Sequence, residues 1–185
     1  DAQKAAEKAG IPFHVLDLRA DFSKNVIGNF ISTYECGGTP NPCIVCNKHL
    51  KFGLMLQKAI DEGFDYIATG HYARVDYDEG TGRFLLKKGL DEKKDQSYFL
   101  YTLTQHQLSH TLFPLGNMTK DTVRQMAENL DLINAKKRDS QDICFIPDGD
   151  YASYIERSLQ KTYPKGNFVS TDGTVLGEHK GIIHY

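Results

Sequence analysis

The sequence predicts an α/β fold with a mainly parallel sheet, and three observations support this prediction. Residues 1–18 read as a helix, a glycine and an apolar strand, which is the second half of a βαβ unit. Apolar strands and patterns of helical period then alternate along the chain. The 185 residues are 40% hydrophobic and 25% charged, a composition typical of a domain with a packed core.

Glycines and turn residues divide the first half of the chain into elements. Apolar residues at helical spacing end at Gly10, Gly37 and Gly63, as is usual at helix C-termini. Apolar runs without helical period indicate strands. The predicted elements of this half are a first helix with Ala5, Ala6 and Ala9 on it, helices at residues 22–34 and 52–60, and strands at Phe13–Leu18 and Tyr66–Thr69.

The second half begins with a hairpin and continues mainly as helices. Glu79-Gly80-Thr81-Gly82 is the expected turn of a hairpin over residues 72–90. Asp148-Gly149 suggests a boundary between a domain over residues 1–147 and the beginning of another over 148–185. The remaining predictions are helices at 97–103, 105–112, 120–130 and 151–159, a hairpin around Asp172-Gly173, and a strand at 182–185.

Composition and charge exclude several classes of protein. No apolar run approaches the roughly 20 residues of a membrane helix, and the polar start is not a signal peptide. Four cysteines are too few for a disulfide scaffold, so we expect a reducing, cytoplasmic setting. A net charge of −2 neither requires nor excludes RNA binding. Basic residues do cluster at Lys87-Lys88, Lys93-Lys94 and Lys136-Lys137-Arg138.

Cysteines provide the most informative pattern. Cys43-x-x-Cys46 follows the turn Pro40-Asn41-Pro42 and opens a helix, where positive potential favours a thiolate, and Cys144 lies far downstream. Such a pair can be a redox couple, half a zinc site, part of an iron–sulfur site, or two inert thiols. A closed zinc site requires a second pair at similar spacing, which the sequence lacks.

Two further segments have a functional and a structural interpretation. Gly70 and His71 follow a predicted strand, where α/β sheets bind ligands, although these two residues alone favour a simple strand-end turn with an exposed histidine. The segment Lys93–Ser97 can contact phosphate or can simply begin a helix. The aromatic residues after it, Tyr98, Phe99 and Tyr101, are expected in the core rather than in a base-stacking surface.

Four segments in this order and spacing resemble the MnmA/TrmU family of tRNA-specific 2-thiouridylases, also known by the older name tRNA (5-methylaminomethyl-2-thiouridylate)-methyltransferases. The resemblance covers the whole chain. The segments are Gly37-Gly38-Thr39-Pro40-Asn41-Pro42-x-x-x-Cys46-Asn47-Lys48, Ile67-Ala68-Thr69-Gly70-His71-Tyr72, Lys94-Asp95-Gln96-Ser97-Tyr98-Phe99-Leu100 and Asp139-Ser140-x-x-Ile143-Cys144-Phe145-Ile146.

The resemblance implies a Rossmann-like nucleotide-binding domain of the PP-loop type, with helices on both faces of the sheet. In such enzymes ATP, with Mg²⁺, activates the 2-oxygen of the wobble uridine of tRNA, and a cysteine persulfide supplies sulfur. By match, Cys46 is the nucleophile, Cys144 is the persulfide carrier and Gly70 contacts ATP. The implied contacts to tRNA or to the target base are Asn41, Pro42, Cys43, His71, Lys94, Asp95 and Gln96.

The sequence departs from the family pattern in two ways that affect its expected activity and the expected roles of its cysteines. The first strand and the Ser-Gly-Gly-x-Asp-Ser loop that cradles ATP do not occur in this sequence. We therefore expect an internal fragment that is inactive by itself. The second departure is Cys43, where many relatives have aspartate. Cys43, Cys46 and Cys144 could alternatively hold a 4Fe–4S cluster. The partners that the resemblance implies are tRNA and a sulfur donor, either a cysteine desulfurase or a sulfur relay protein. The alternative to an enzyme is a non-catalytic thiol or metal-binding module.

Overall fold

The computed structural model describes residues 2–132, 135 and 142–185, which fold as a mixed α/β protein. The predicted fold class is therefore confirmed. Two compact units are present, one over residues 1–22 and 43–139 and the other over residues 23–42 and 140–185. The predicted boundary at Asp148 stays a prediction. The basic cluster at residues 136–138 lies outside the described residues. No helix in the described part of the chain is long and apolar enough to cross a membrane.

The first unit contains a short parallel sheet of two strands. Strand β1, Ile67–Ala68, pairs in parallel with β4, Thr111–Leu112. The helix predicted over 105–112 is therefore too long, because it ends at Ser109 and β4 follows. Thr104 begins this helix with a capping box, and the backbone of residue 110 then turns to accept a hydrogen bond from Ile67 N–H at 2.9 Å.

The predicted hairpin is confirmed beside this sheet. Strands β2, Ala73–Asp78, and β3, Arg83–Lys88, pair in antiparallel register from Ala73 opposite Lys88 to Asp78 opposite Arg83. Gly89 follows β3 against the backbone of Tyr72, since a Cβ on Gly89 would lie 2.8 Å from the Tyr72 carbonyl oxygen. The unit's core packs at the base of this hairpin. Its buried residues are Phe52, Leu56, Ile67, Ala73 and Leu100.

The strand predicted over Phe13–Leu18 is wrong. These residues form no regular element, and Phe13, Val15 and Leu16 are exposed. An apolar run becomes a strand only when a neighbour satisfies its backbone N–H and C=O groups. The strand pairings of the described residues involve other segments, so residues 13–18 remain irregular.

The second unit is held together by aromatic rings. The ring of Phe30 contacts those of Tyr34, Phe145 and Tyr151 edge to face at centroid distances of 5.0 to 6.0 Å. Glu35 accepts hydrogen bonds of 2.6 Å from the Lys161 ammonium and from the Tyr163 hydroxyl. Together they hold the pKa of the Glu35 carboxyl below its usual value.

The end of the chain differs from the predicted strand. Residues Ile182–His184 form a 3₁₀ turn because Ile183 packs into the core of the second unit.

The predicted hairpin around Gly173 and the helix before it are confirmed. The helices are α1 Ala2–Ala9, α2 Arg19–Phe22, α3 Gly28–Glu35, α4 Pro42–Cys46, α5 Leu56–Asp61, α6 Gln105–Ser109, α7 Lys120–Asn129 and α8 Tyr151–Leu159, with π-helical turns at Ser23–Ile27 and Asn47–Met55 and a 3₁₀ turn at Ser97–Phe99; the last hairpin is β5 Gly166–Val169 and β6 Val175–His179.

Candidate functional site

The predicted nucleophile lies near the start of a continuous helical segment. Pro42 is the first residue of α4, where the missing N–H of proline has no helical partner to lose. The exposed Cys43 and the half-buried Cys46 follow within the same short helix. A π-helical turn begins at residue 47, and such turns are frequent at functional sites.

Two hydrogen bonds to later segments hold this π-helical turn. The Asn47 side chain is only 2% exposed, and its Nδ2 donates to the Phe99 carbonyl at 3.3 Å. Its Oδ1 is buried and accepts no hydrogen bond from the described residues. Farther along, Gln107 Nε2 donates to the Phe52 carbonyl at 2.8 Å. The residue directly after Cys46 is thus tied to the 3₁₀ turn that follows Gln96.

Gly70 and His71 lie at the carboxyl end of β1, as predicted. Gly70 is exposed, and a Cβ there would touch only the Leu115 side chain at an ordinary 3.7 Å. A parallel strand ending at an accessible glycine offers a ligand an open approach to the backbone. The predicted contact of Gly70 with ATP stays a prediction.

His71, in contrast, is turned into the protein. Its ring is 9% exposed, lies 5.8 Å from the Phe52 ring and is hydrogen bonded through Nδ1 to Thr69 Oγ1 at 2.8 Å. Burial, and secondarily the charge of Lys51, lowers the pKa of His71 to about 4. The imidazole is neutral at pH 7. The predicted contact of His71 with RNA stays a prediction.

The predicted segment Lys94-Asp95-Gln96 is anchored to the base of the hairpin. Asp95 accepts hydrogen bonds from Gly89 N–H at 2.8 Å and from the Ser97 hydroxyl at 2.8 Å. Burial raises the pKa of the Asp95 carboxyl, but these bonds outweigh it and leave the pKa below its usual value. Gln96 is bonded to the Tyr72 backbone in both directions, at 2.9 and 3.1 Å. Lys94 itself is exposed.

The aromatic residues after this segment are a correction to the sequence analysis. Tyr98 and Tyr101 were expected in the core, but their side chains are 58% and 70% exposed. Leu100, between them, is completely buried and Phe99 is half-buried. The two inward residues thus lie between the two tyrosines, and both tyrosines lie at the surface.

Cys144 belongs to the second unit. Its thiol is exposed, and the neighbouring Ile143 and Phe145 pack against that unit's core. The Tyr151 hydroxyl donates to the Asp142 carboxylate, which lowers the pKa of Asp142 and raises that of Tyr151 to about 12. The start of the predicted motif, Asp139-Ser140, lies outside the described residues.

Contacts within the first unit thus connect three of the predicted segments. The helix with Cys46 touches His71 through Phe52 and touches the turn after Gln96 through Asn47. Asn47, Tyr98 and Tyr101 were not among the predicted site residues. Asn47 directly follows Cys46 in the motif, and this adjacency is the sequence feature that could have identified it as a site residue. In the described part of the chain no group of three or more His, Cys, Asp or Glu side chains converges as a metal site.

The first unit is a mixed α/β unit with a small parallel sheet that ends at an accessible glycine. This is the arrangement in which open α/β sheets bind ligands. The chain belongs to the tRNA methyl transferase HUP domain family, whose sequence model matches residues 1–148. Over all 185 residues it is 52% identical to the tRNA-specific 2-thiouridylase MnmA of Clostridioides difficile (strain 630) and covers 51% of that protein. It is also 52% identical to the MnmA of Acetivibrio thermocellus, of which it covers 52%.

A third relative gives the same result. The chain is 50% identical over 187 aligned residues to the tRNA-specific 2-thiouridylase MnmA of Treponema denticola and covers 51% of it. The resemblance to the MnmA/TrmU family is therefore confirmed. The chain spans about half the length of the curated relatives it matches.

Proposed function

We propose that the protein containing this chain converts the wobble uridine of tRNA to 2-thiouridine by ATP-dependent sulfur transfer. One structural observation supports this proposal in addition to the similarity to known enzymes. Asn47, the residue after Cys46, is hydrogen bonded to the turn that follows Lys94-Asp95-Gln96. Cys46, the strand end at Gly70 and the segment that we propose contacts RNA all belong to one folded unit. Neither the activity nor the substrate follows from the fold alone.

Binding of the two substrates is assigned to different segments of the chain. ATP supplies activation of the uridine 2-oxygen as a leaving group. Gly70 would leave the strand end open to it, and Asn41, Pro42 and Cys43 would contact the target base beside Cys46. His71, Lys94, Asp95 and Gln96 are the remaining proposed RNA contacts. The inward hydrogen bonds of Asp95 and Gln96 support a role in holding Lys94 outward toward phosphate.

Sulfur transfer requires two thiols with different roles. The terminal sulfur of a persulfide on Cys144 attacks C2 of the activated uridine and displaces the activated oxygen. Cys46 then attacks the Cys144 sulfur, the sulfur–sulfur bond to the uridine breaks, and its electron pair leaves 2-thiouridine. The resulting disulfide between Cys46 and Cys144 must be reduced by an external dithiol. A sulfur-donor protein, such as a cysteine desulfurase or a relay protein, restores the persulfide.

Two alternatives use the same cysteines differently. In the first, Cys43, Cys46 and Cys144 hold a 4Fe–4S cluster that carries the sulfur. The described residues offer no converging set of metal ligands, so we derive no step through a cluster. In the second, the chain is a non-catalytic thiol module. By itself the 185-residue chain, without the Ser-Gly-Gly-x-Asp-Ser loop, is proposed to be inactive and to bind ATP weakly.

The test is replacement of single cysteines in the full-length protein. Cys46→Ser and Cys144→Ser should each abolish 2-thiouridine formation, because a serine hydroxyl neither carries nor accepts sulfur at neutral pH. Cys36→Ser, at the exposed end of α3, is the matched control and should keep wild-type activity. The readout is mass spectrometry of nucleosides from digested tRNA. Wild-type thiolation by either Cys46→Ser or Cys144→Ser would refute the assignment.

A further inference from the structure

Lys93, Lys94, Tyr98 and Tyr101 form an exposed set that we call the tyrosine–lysine surface. All four side chains are exposed, the two tyrosines by 58% and 70%. They lie within nine consecutive residues of the first unit. Two exposed aromatic side chains and two exposed cations thus lie in one short segment, and a group of exposed apolar residues indicates a binding surface.

The exposure of the two tyrosines does not result from a loosely held loop. Asp95, Gln96 and Phe99 are all bonded to other segments, at Gly89, Tyr72 and Asn47 respectively. Leu100, between the tyrosines, is fully buried in the core of the unit. The backbone is therefore fixed on both sides of Tyr98, and the outward direction of its ring is part of the fold.

The Tyr98 ring is also supported from one side. Its centroid lies 3.9 Å from that of the Phe99 ring, and the two planes are inclined by 36°. A supported aromatic ring loses little conformational freedom when a second planar group stacks on it. Unpaired nucleobases are planar, and stacking on aromatic side chains with cations on the backbone is the usual way in which proteins hold single-stranded RNA.

We propose that the tyrosine–lysine surface stacks unpaired bases of the RNA loop that contains the target uridine. The proposal rests on the function proposed above and adds a binding surface to it. RNA is the favoured occupant because the turn is hydrogen bonded to the helix that carries Cys46, and the exposed Lys93 and Lys94 precede the two tyrosines in the same segment.

The surface also has a defined relation to Cys46. Asn47 follows Cys46, Phe99 follows Tyr98, and the Asn47 amide and the Phe99 carbonyl are 3.3 Å apart. A base on Tyr98 is therefore held close to the helix that carries the nucleophile. Because the target uridine must leave the stack to react, its neighbours lose a stacking partner. Tyr98 and Tyr101 replace that partner for the flanking bases.

The test measures binding of an anticodon stem-loop RNA to the full-length protein by fluorescence anisotropy. Tyr98→Leu and Tyr101→Leu keep an apolar side chain but remove the aromatic face, and each should raise the Kd by about 5- to 100-fold. Tyr98→Phe should stay within about threefold of wild type, because the stacking face is retained. The matched control is Tyr66→Leu, a tyrosine that is 53% exposed elsewhere in the unit, which should not change the Kd.

Salt dependence separates stacking from charge. The tyrosine variants should leave the slope of log Kd against log salt unchanged, whereas Lys94→Gln should reduce it by about 0.7. Unchanged binding by both leucine variants, with wild-type protein binding normally, overturns this proposal alone and indicates a protein-covered face. Failure of the wild-type protein to bind the RNA overturns the proposed function as well.

Discussion

Acidification should destabilise the protein through His71 before its surface carboxylates are neutralised. The folded pKa of His71 is about 4, lowered by burial and then by Lys51, whereas an unfolded histidine titrates near 6.5. Between these values the unfolded chain takes up a proton at His71 and the folded chain does not. The free energy of unfolding must therefore fall as the pH decreases from about 6.5 to about 4.

The magnitude follows from the difference between the two pKa values. About 2.5 units at about 1.36 kcal/mol per unit give roughly 3 kcal/mol once the pH is below 4. At pH 5 the same linkage gives about 2 kcal/mol relative to pH 7.5. The ring is 9% exposed, so solvent screening reduces these values only slightly. A domain of this size has a total stability of about 5–15 kcal/mol, and the loss is therefore measurable.

Urea unfolding of the wild type and of His71→Gln at pH 7.5 and pH 5 tests this reasoning. Glutamine does not titrate, so the stability of the variant should fall by about 2 kcal/mol less than that of the wild type over this range. The substitution His49→Gln, at an exposed histidine of the same unit, controls for the loss of an imidazole. Equal pH dependence in the wild type and His71→Gln would refute the argument that His71 is buried as a neutral ring.

Two further predictions concern the anchored turn and the mechanism. Asp95→Asn should lower the free energy of unfolding by about 1 kcal/mol at pH 7 and weaken tRNA binding, because a neutral amide accepts the Gly89 and Ser97 hydrogen bonds less strongly. Urea titration against the exposed-site control Asp65→Asn checks this, and equal stability of the two variants would count against the anchoring role. Cys43→Ala in the full-length protein should leave partial thiolation and no bound iron, and Cys43→Asp should keep substantial activity. Joint loss of activity and of iron in anaerobically purified Cys43→Ala would instead establish a cluster.

The sequence by itself was sufficient to predict the elements whose formation depends on neighbouring residues. The hairpin over residues 72–90 and the helices that end at Gly10, Gly37 and Gly63 all occur where they were predicted, and those three glycines have φ values of +66°, +76° and +89°. Turn residues and helical periodicity act over a few neighbouring positions, so one sequence contains the whole signal. The family also followed from short motifs in a fixed order.

Only the tertiary structure decided which of these residues face solvent and which segments pair. Thr111 forms a strand because Ile67 lies beside it, and Phe13–Leu18 forms none because the described residues provide no neighbour for it. His71 is buried and neutral while Tyr98 and Tyr101 are exposed, the reverse of what their residue types and motif roles suggest. Burial and strand pairing depend on segments distant in sequence. The chemistry available to His71, Tyr98 and Tyr101 was therefore set by packing rather than by local pattern.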